Sequence, residues 1–387
     1  MISSKTRISL GVAAVVACGT VLADAHHARI PHLDRVFLIM LENHAYDQII
    51  GNSDAPFINQ MARQKNLATN FFAVGHPSLT NYLEVVGGSN FGVINDHVPD
   101  WHNSHCTPNL VSGIPSDESS SAPICPIAGS GMDAATPAVD TTNAGTPTNP
   151  VYNQPLGPAP TVGKTIADQL VAAGLHWKTY QEDLGIGGPD RVNAGDGTFT
   201  NLSPVNQADL VALYAVKHNP FAYFANVQDN RDPDNGFNNM VDFTGLNGLY
   251  ADLATGSVPN FSFIVPNQCH DMHGKGGAGP FCSPANPALI KTGDVAVQKL
   301  VSAIEQSAVW KEGNNAIVVM FDENDYSSLP NKVVTLVETN YGKNGVQSNR
   351  PYNHFSLLRT LEAGFGLDCL NHACDKNVPT MDDLFAR

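Results

Sequence analysis

Carboxylates and an amide follow two apolar runs in this chain, and together they have the makings of a site for a hard cation. The first run, Val36-Phe-Leu-Ile-Met-Leu41, ends in Glu42-Asn43. The second, Ala316-Ile-Val-Val-Met-Phe321, ends in Asp322-Glu323. Side by side, the two ends would gather three carboxylates and an amide oxygen. Carboxylates that close repel one another unless a cation joins them. Oxygen donors alone suit a hard ion, so one divalent metal is expected, with Ca, Mg, Mn and Zn all left open.

A third stretch, Gly75-His-Pro-Ser-Leu-Thr-Asn-Tyr-Leu83, carries Leu79, Tyr82, Leu83 and Val86 at helical spacing, so a helix begins near Ser78. Free N–H groups and the positive dipole end at such a start suit a phosphate. Ser78 is then either an N-cap or a nucleophile activated by a metal. His270-Asp271-Met-His273 lies beyond a strand ending at Val265; it reads as a polar loop or as donors to metal or phosphate. His218, in Lys217-His-Asn-Pro-Phe221, and His354, in Tyr352-Asn-His-Phe-Ser356, read as turn and capping residues when taken singly. Gly274-Lys-Gly-Gly-Ala-Gly279 lacks the Lys-Ser/Thr that closes a P-loop.

The elements that must position these groups follow from the same patterns. Both apolar runs suit strands buried on both faces of a parallel sheet, whose sites gather beyond the carboxyl ends. Thr165 to Ala173 reads as a helix, with Gly174 as its C′ residue, and Leu175 to Tyr180 and Phe261 to Val265 read as strands. Asp294 is placed to cap a helix bearing the stripe Val297, Leu300, Val301 and Ile304, which leads into the second run. This alternation predicts an α/β fold, a mostly parallel sheet with helices on both faces. From about Thr107 to Pro160 the chain is rich in Ser, Thr, Pro, Gly and Ala; such a stretch cannot fill a core and reads as a lid-like insertion.

The net charge of −15 argues against nucleic acid as a partner. A small phosphorylated substrate remains possible in chemistry, because a bound metal inverts the local field. Residues 1–25 read as a signal peptide: Lys5 and Arg7, the apolar Ile8 to Leu22, then Ala23-Asp24-Ala25. The expected product is an exported catalytic domain, 26–387, periplasmic or secreted. A lipoprotein signal at Val15-Val16-Ala17-Cys18 is the alternative. No other stretch is long and apolar enough to span a bilayer. Six of the seven cysteines remain after Cys18 is removed, and in an exported chain they read as disulfides; local spacing favours 106–125, 269–282 and 369–374. The oligomeric state is not written in these features.

The ordered set Glu42-Asn43, Ser78-x-x-Asn81, His218-Asn-Pro, Asp271-x-His273, Asp322-Glu323 and Asn353-His354 resembles the bacterial phosphoesterase family of the alkaline phosphatase superfamily, which holds secreted acid phosphatases and phospholipases C. The blocks "LENHAYDQIIG", "HPSLTNYLEVVGG" and "YNHFSLLRTLEAGFGL" carry the likeness, which runs from about residue 33 to 370. It implies a three-layer α/β/α sandwich and a phosphoserine intermediate. Ser78 takes the place of the nucleophile. Glu42, Asn43, Asp322, Glu323 and the Ser78 hydroxyl take those of the metal ligands. His218 and His273 match catalytic groups that hold phosphate or protonate the leaving group. Asn81, Asp271 and His354 fall beside the phosphate, the last two also being candidates for a second metal. Two departures stand out: Thr80 replaces a usual proline, and Glu323 replaces a frequent aspartate. The implied activity is that of a metal-dependent acid phosphatase acting on phosphomonoesters. A phospholipase C acting on phospholipid headgroups is the alternative, disfavoured by an insertion poor in aromatics. A non-catalytic binder on the same fold comes third, since a binder needs no nucleophile.

Overall fold

Residues 36–41 and 316–321 carry only apolar side chains, and all twelve positions are buried. Chains of this kind are most stable where both faces are covered, which means the middle of a sheet. The computed structural model places them there. It describes residues 30–101, 106, 116, 121–133, 159–185, 211–327 and 330–387. The expected signal peptide, with Cys18, and most of the expected insertion at 107–160 lie outside the described residues.

In chain order the first elements are β1 (Arg35–Leu41), α1 (Tyr46–Ile49), α2 (Pro56–Gln64), β2 (Asn66–Phe72) and α3 (Ser78–Gly87). Then come β3 (Ser130–Met132), β4 (Pro160–Val162), α4 (Ile166–Ala172), β5 (Trp177–Gln181), α5 (Ala225–Asp229), β6 (Met240–Val241), α6 (Leu249–Thr255) and β7 (Phe261–Val265). The last are α7 (Ala288–Gln306), β8 (Asn315–Phe321), β9 (Lys332–Thr339), β10 (Gln347–Ser348), β11 (Tyr352–Asn353) and α8 (His354–Phe365).

The main sheet runs β10-β2-β9-β8-β1-β7-β5-β6, with β11 alongside β2. The pairs β8/β1, β1/β7, β7/β5 and β5/β6 are parallel, and β9 is antiparallel to both β8 and β2. Helices α2 and α6 pack on α7, while α3, α4 and α8 pack on one another. These groups form the outer layers of the expected α/β/α sandwich. Strand β3 pairs antiparallel with β4, so residues 130–132 and 160–162 meet as a two-stranded ribbon.

One expectation is corrected. Asp294 does not cap α7, which starts earlier, at Ala288. Its buried carboxylate instead accepts the N–H groups of Phe57 (3.0 Å) and Ile58 (2.8 Å) in the first turn of α2. Helix α2 has Ala55 at its N-cap, which offers no side-chain acceptor, so α7 supplies one from across the layer. The three disulfides pair as local spacing favours: Cys106–Cys125, Cys269–Cys282 and Cys369–Cys374. Among the described residues, no helix is long and apolar enough to cross a membrane.

Candidate active site

Register brings the two metal-type pairs together. Leu41 pairs with Phe321 at the ends of β1 and β8, so Glu42 and Asp322 leave the sheet side by side. The Asp322 N–H donates to the Leu41 carbonyl (2.9 Å). On the other flank of β1, the Glu42 N–H donates to the carbonyl of Asp271 in the loop after β7 (2.8 Å). Asn43 has φ of 54°, a left-handed conformation that asparagine tolerates better than most residues. Its N–H donates to Asp322 Oδ1 (3.1 Å). The turn thereby holds Glu42 and Asn43 against Asp322.

Ser78 reaches this cluster from α3. It is the first helical residue, behind Pro77 at the N-cap, and it makes no capping bond. Its buried hydroxyl instead lies 3.1 Å from Glu42 Oε2 and 3.4 Å from Glu323 Oε1. Glu323 is fixed by two further groups: Asn81 Nδ2 donates to its Oε2 (2.9 Å), and His76 Nδ1 lies 2.8 Å from the same oxygen. Asn81 also bridges to the Gly75 backbone through both ends of its amide. The His76 ring stacks on Tyr326, with centroids 3.8 Å apart.

The histidines occupy the β7 side. A 3₁₀ turn at Val216–His218 packs against α3. It places His218 Nε2 at 3.0 Å from Glu42 Oε1 and Nδ1 at 3.1 Å from Asp271 Oδ2. Tyr82 stacks flat on the His218 ring at 5.2 Å, and His273 meets it edge-on at 5.5 Å. Asp271 Oδ1 accepts the His273 N–H (2.7 Å), and His273 Nδ1 lies 2.7 Å from the Gly274 carbonyl. A carbonyl can only accept, so Nδ1 carries the proton and Nε2 is the free nitrogen. The Cys269–Cys282 bridge brackets this loop. His354 opens α8, buried edge-on against Phe71 at 5.7 Å, with the backbone of Asp322 and Phe72 facing it.

Electrostatics set the demand for a cation. Burial pushes Glu42, Asp271, Asp322 and Glu323 above the carboxylate range, and the Glu42 charge raises the other three further. Asn43 Oδ1 and Asp322 Oδ2 are buried without a hydrogen-bond partner. Unpaired buried oxygens facing crowded carboxylates fit a bound cation. A second donor set shares Glu42: ligand atoms of Glu42, His218 and His273 all lie within 4.8 Å of one another and can hold a metal ion. Burial pushes His218 well down, His76 down to about 4 and His354 to about 3. The neighbouring Lys217 and His273 add to that fall at His218.

Three neighbours of the cluster went unread in the sequence: His76, Asp96 and Lys217. Lys217 Nζ lies 2.9 Å from Asp96 Oδ2 and 3.5 Å from Ser78 Oγ. Asp96 Oδ1 accepts the Leu79 N–H (3.0 Å) in the first turn of α3. Burial works against the Lys217 ammonium, but Glu42 and Asp96 more than offset it and hold it above the lysine range. The available signals were adjacency to His218 for Lys217 and to Ser78 for His76; Asp96 offered none.

A family model described as Phosphoesterase family matches residues 52–368. The chain is 26% identical, over 358 residues, to the phosphatidylinositol-3-phosphatase of Mycobacterium tuberculosis, covering 92% of this chain and 84% of that protein. It is 24% identical over 352 residues to a phosphate-repressible acid phosphatase of Penicillium chrysogenum, covering 90% of this chain and 63% of the relative. The alignment with the acid phosphatase of Aspergillus fumigatus, also 24% identical, takes in 89% of this chain and 58% of the relative. The chain thus spans about three fifths of the length of these fungal relatives. A solved protein of the alkaline phosphatase superfamily from Vibrio parahaemolyticus is similar with a TM-score of 0.47 and 14% identity, covering 89% of this chain and 71% of the other. A match that takes in Ser78, all three histidine segments and the Asp322-Glu323 pair settles the lineage: the chain belongs to the Phosphoesterase family and is a phosphoric ester hydrolase.

Proposed function

We propose that the chain is an exported, metal-dependent acid phosphatase that hydrolyses phosphomonoesters through a phosphoserine at Ser78. The observation that carries this reading is the Ser78 hydroxyl, which opens α3 but turns away from capping and into the carboxylates of Glu42 and Glu323. The Leu79 and Thr80 N–H groups of this helix start are taken by Asp96 Oδ1 and the Pro77 carbonyl, so what it offers a phosphoryl group is the Ser78 hydroxyl, and a side chain aimed at a carboxylate cluster has no structural need to be serine. Glu42, Asn43, Ser78, Asp322 and Glu323 would hold a divalent ion, which when bound would lower the pKa of the hydroxyl and neutralise charge on the phosphoryl oxygens.

The chain's own residues provide the rest. The Ser78 Oγ–P bond forms as the bond from phosphorus to the leaving oxygen breaks, and the hydroxyl proton has an acceptor in Glu42 Oε2 at 3.1 Å. A proton carried on His273 Nε2, opposite the Nδ1–H held by the Gly274 carbonyl, passes to the leaving oxygen. Water then forms the new P–O bond, returns a proton to His273, and the Ser78 oxygen departs and recovers its own. His218 bridges Glu42 and Asp271 and stands with His273 beside the phosphoryl group. Asn81 orients Glu323, while Asp271 orients His273 and His218. His354 is buried against the backbone of Asp322 and supports that ligand from behind.

The substrate is a small phosphomonoester. The relatives above are named phosphatases, one of them for a phosphoinositide, which ranks phosphodiester cleavage of a phospholipase C behind. Three disulfides support export from a reducing cytosol. The test is a chromogenic phosphomonoester assay beside a phosphatidylcholine assay, each with and without chelator. Monoester turnover that chelation abolishes is expected; turnover of phosphatidylcholine alone would contradict the assignment.

A further inference from the structure

We propose that Lys217 is a further catalytic residue: its ammonium contacts an equatorial oxygen of the phosphoryl group carried on Ser78. This rests on the phosphoserine reading and adds a cation from the chain itself beside the nucleophile.

Around Ser78 Oγ stand two carboxylate oxygens, from Glu42 and Glu323, and one cation, Lys217 Nζ at 3.5 Å. An ammonium has three donors. One is committed to Asp96 Oδ2 at 2.9 Å. A second is directed at Ser78 Oγ, 3.5 Å away, where a phosphoryl group on that oxygen would meet the ammonium. Asp96 fixes that direction, because its other oxygen accepts the Leu79 N–H one residue past the nucleophile. Helix start, carboxylate and ammonium are therefore linked in one hydrogen-bonded chain beside Oγ. A purely structural ion pair between Asp96 and Lys217 has no reason to bring its cation to the nucleophile. The side chain is only 18% exposed, so the ammonium has given up most of its hydration, a loss that direct contact with a phosphoryl oxygen would offset. Lys217 forms no covalent bond and moves no proton; it stays charged throughout, and its contribution is attraction to the charge spread over the transferring group.

The test compares wild type with Lys217→Met and Lys217→Arg for kcat on a chromogenic phosphomonoester, affinity for inorganic phosphate by calorimetry, metal content and Tm. Lys217→Met is expected to lower kcat by roughly 10²-fold or more, the scale for one lost transition-state donor. It should weaken phosphate binding about tenfold, with metal content unchanged. Lys217→Arg should recover part of both. Should the methionine variant fail to fold, Lys217→Gln, which keeps a polar head for Asp96, is expected to show the same losses. Wild-type kcat and phosphate affinity in Lys217→Met or Lys217→Gln would overturn the assignment, as would a loss of activity matched by loss of metal. A wild type without monoesterase activity would instead refute the phosphoserine reading, and phosphate affinity would still decide the role of Lys217.

Discussion

Ser78 sits where several demands meet: a helix start, a carboxylate cluster and a lysine all converge on one hydroxyl. The pairs Glu42-Asn43 and Asp322-Glu323 were legible in the sequence because each follows an apolar run that only a central strand explains. The supporting contacts were not. His76, Asp96 and Lys217 join the cluster through the loops before and after α3 and the Val216–His218 turn, and their partners lie far away in sequence. No spacing rule reports such neighbours. Asp322→Asn is expected to lower bound metal and kcat together, because it removes charge from a set already short of hydrogen-bond partners at Asp322 Oδ2; metal analysis beside a rate assay checks it. His273→Ala should lower kcat by roughly 10²-fold or more, the usual scale for a lost acid, with metal retained. If His273→Ala or His218→Ala lost its metal instead, the triad with Glu42 would be the binding set.

Elements deliver these residues through register and through contacts between layers. The β1/β8 pairing places Glu42 beside Asp322, and β11 beside β2 places His354 at the same edge of the sheet. Strands β1, β7 and β8 were readable from apolar runs, and α4, α8 and the start of α3 from helical spacing. The two-residue strands β10 and β11 were not, since so short a pairing leaves no periodic signal; the eight-residue β9, whose Val333, Val334, Leu336 and Val337 are buried, was not singled out. Asp294 shows the same limit differently. Its position before an apolar stripe looked like a cap, but α7 extends past it and its partners are the N–H groups of Phe57 and Ile58, reached only in three dimensions. Asp294→Ala is therefore expected to cost about 1 kcal/mol or somewhat more, the scale of a lost helix cap. Denaturant unfolding should show that loss with kcat unchanged. An unchanged midpoint would mean that solvent satisfies the first turn of α2 unaided.

At the scale of the molecule, the chain carries a net charge of −15, and four of its carboxylates are buried together at the candidate site. A second buried network lies apart from that site: His372 bridges Asp133 (2.5 Å) and Asp375 (2.8 Å), and Ser89 bonds Asp133. It ties the β3/β4 ribbon to the loop closed by Cys369–Cys374. Burial disfavours the His372 imidazolium, but Asp133 and Asp375 outweigh it and hold the group above the ordinary histidine range. A raised folded pKa gives stability that is full below the unfolded value and is lost as pH rises through the folded one. Tm should therefore fall over that interval on the alkaline side, and His372→Gln should flatten the fall; an equally steep profile in the variant would refute the linkage. The central claim is covalent and can be tested directly. Enzyme turning over a phosphomonoester, quenched in acid and mapped by mass spectrometry, is expected to carry one phosphoryl group on the peptide containing Ser78, absent from Ser78→Ala. A phosphoryl group on another residue, or a Ser78→Ala enzyme with wild-type turnover, would contradict the account.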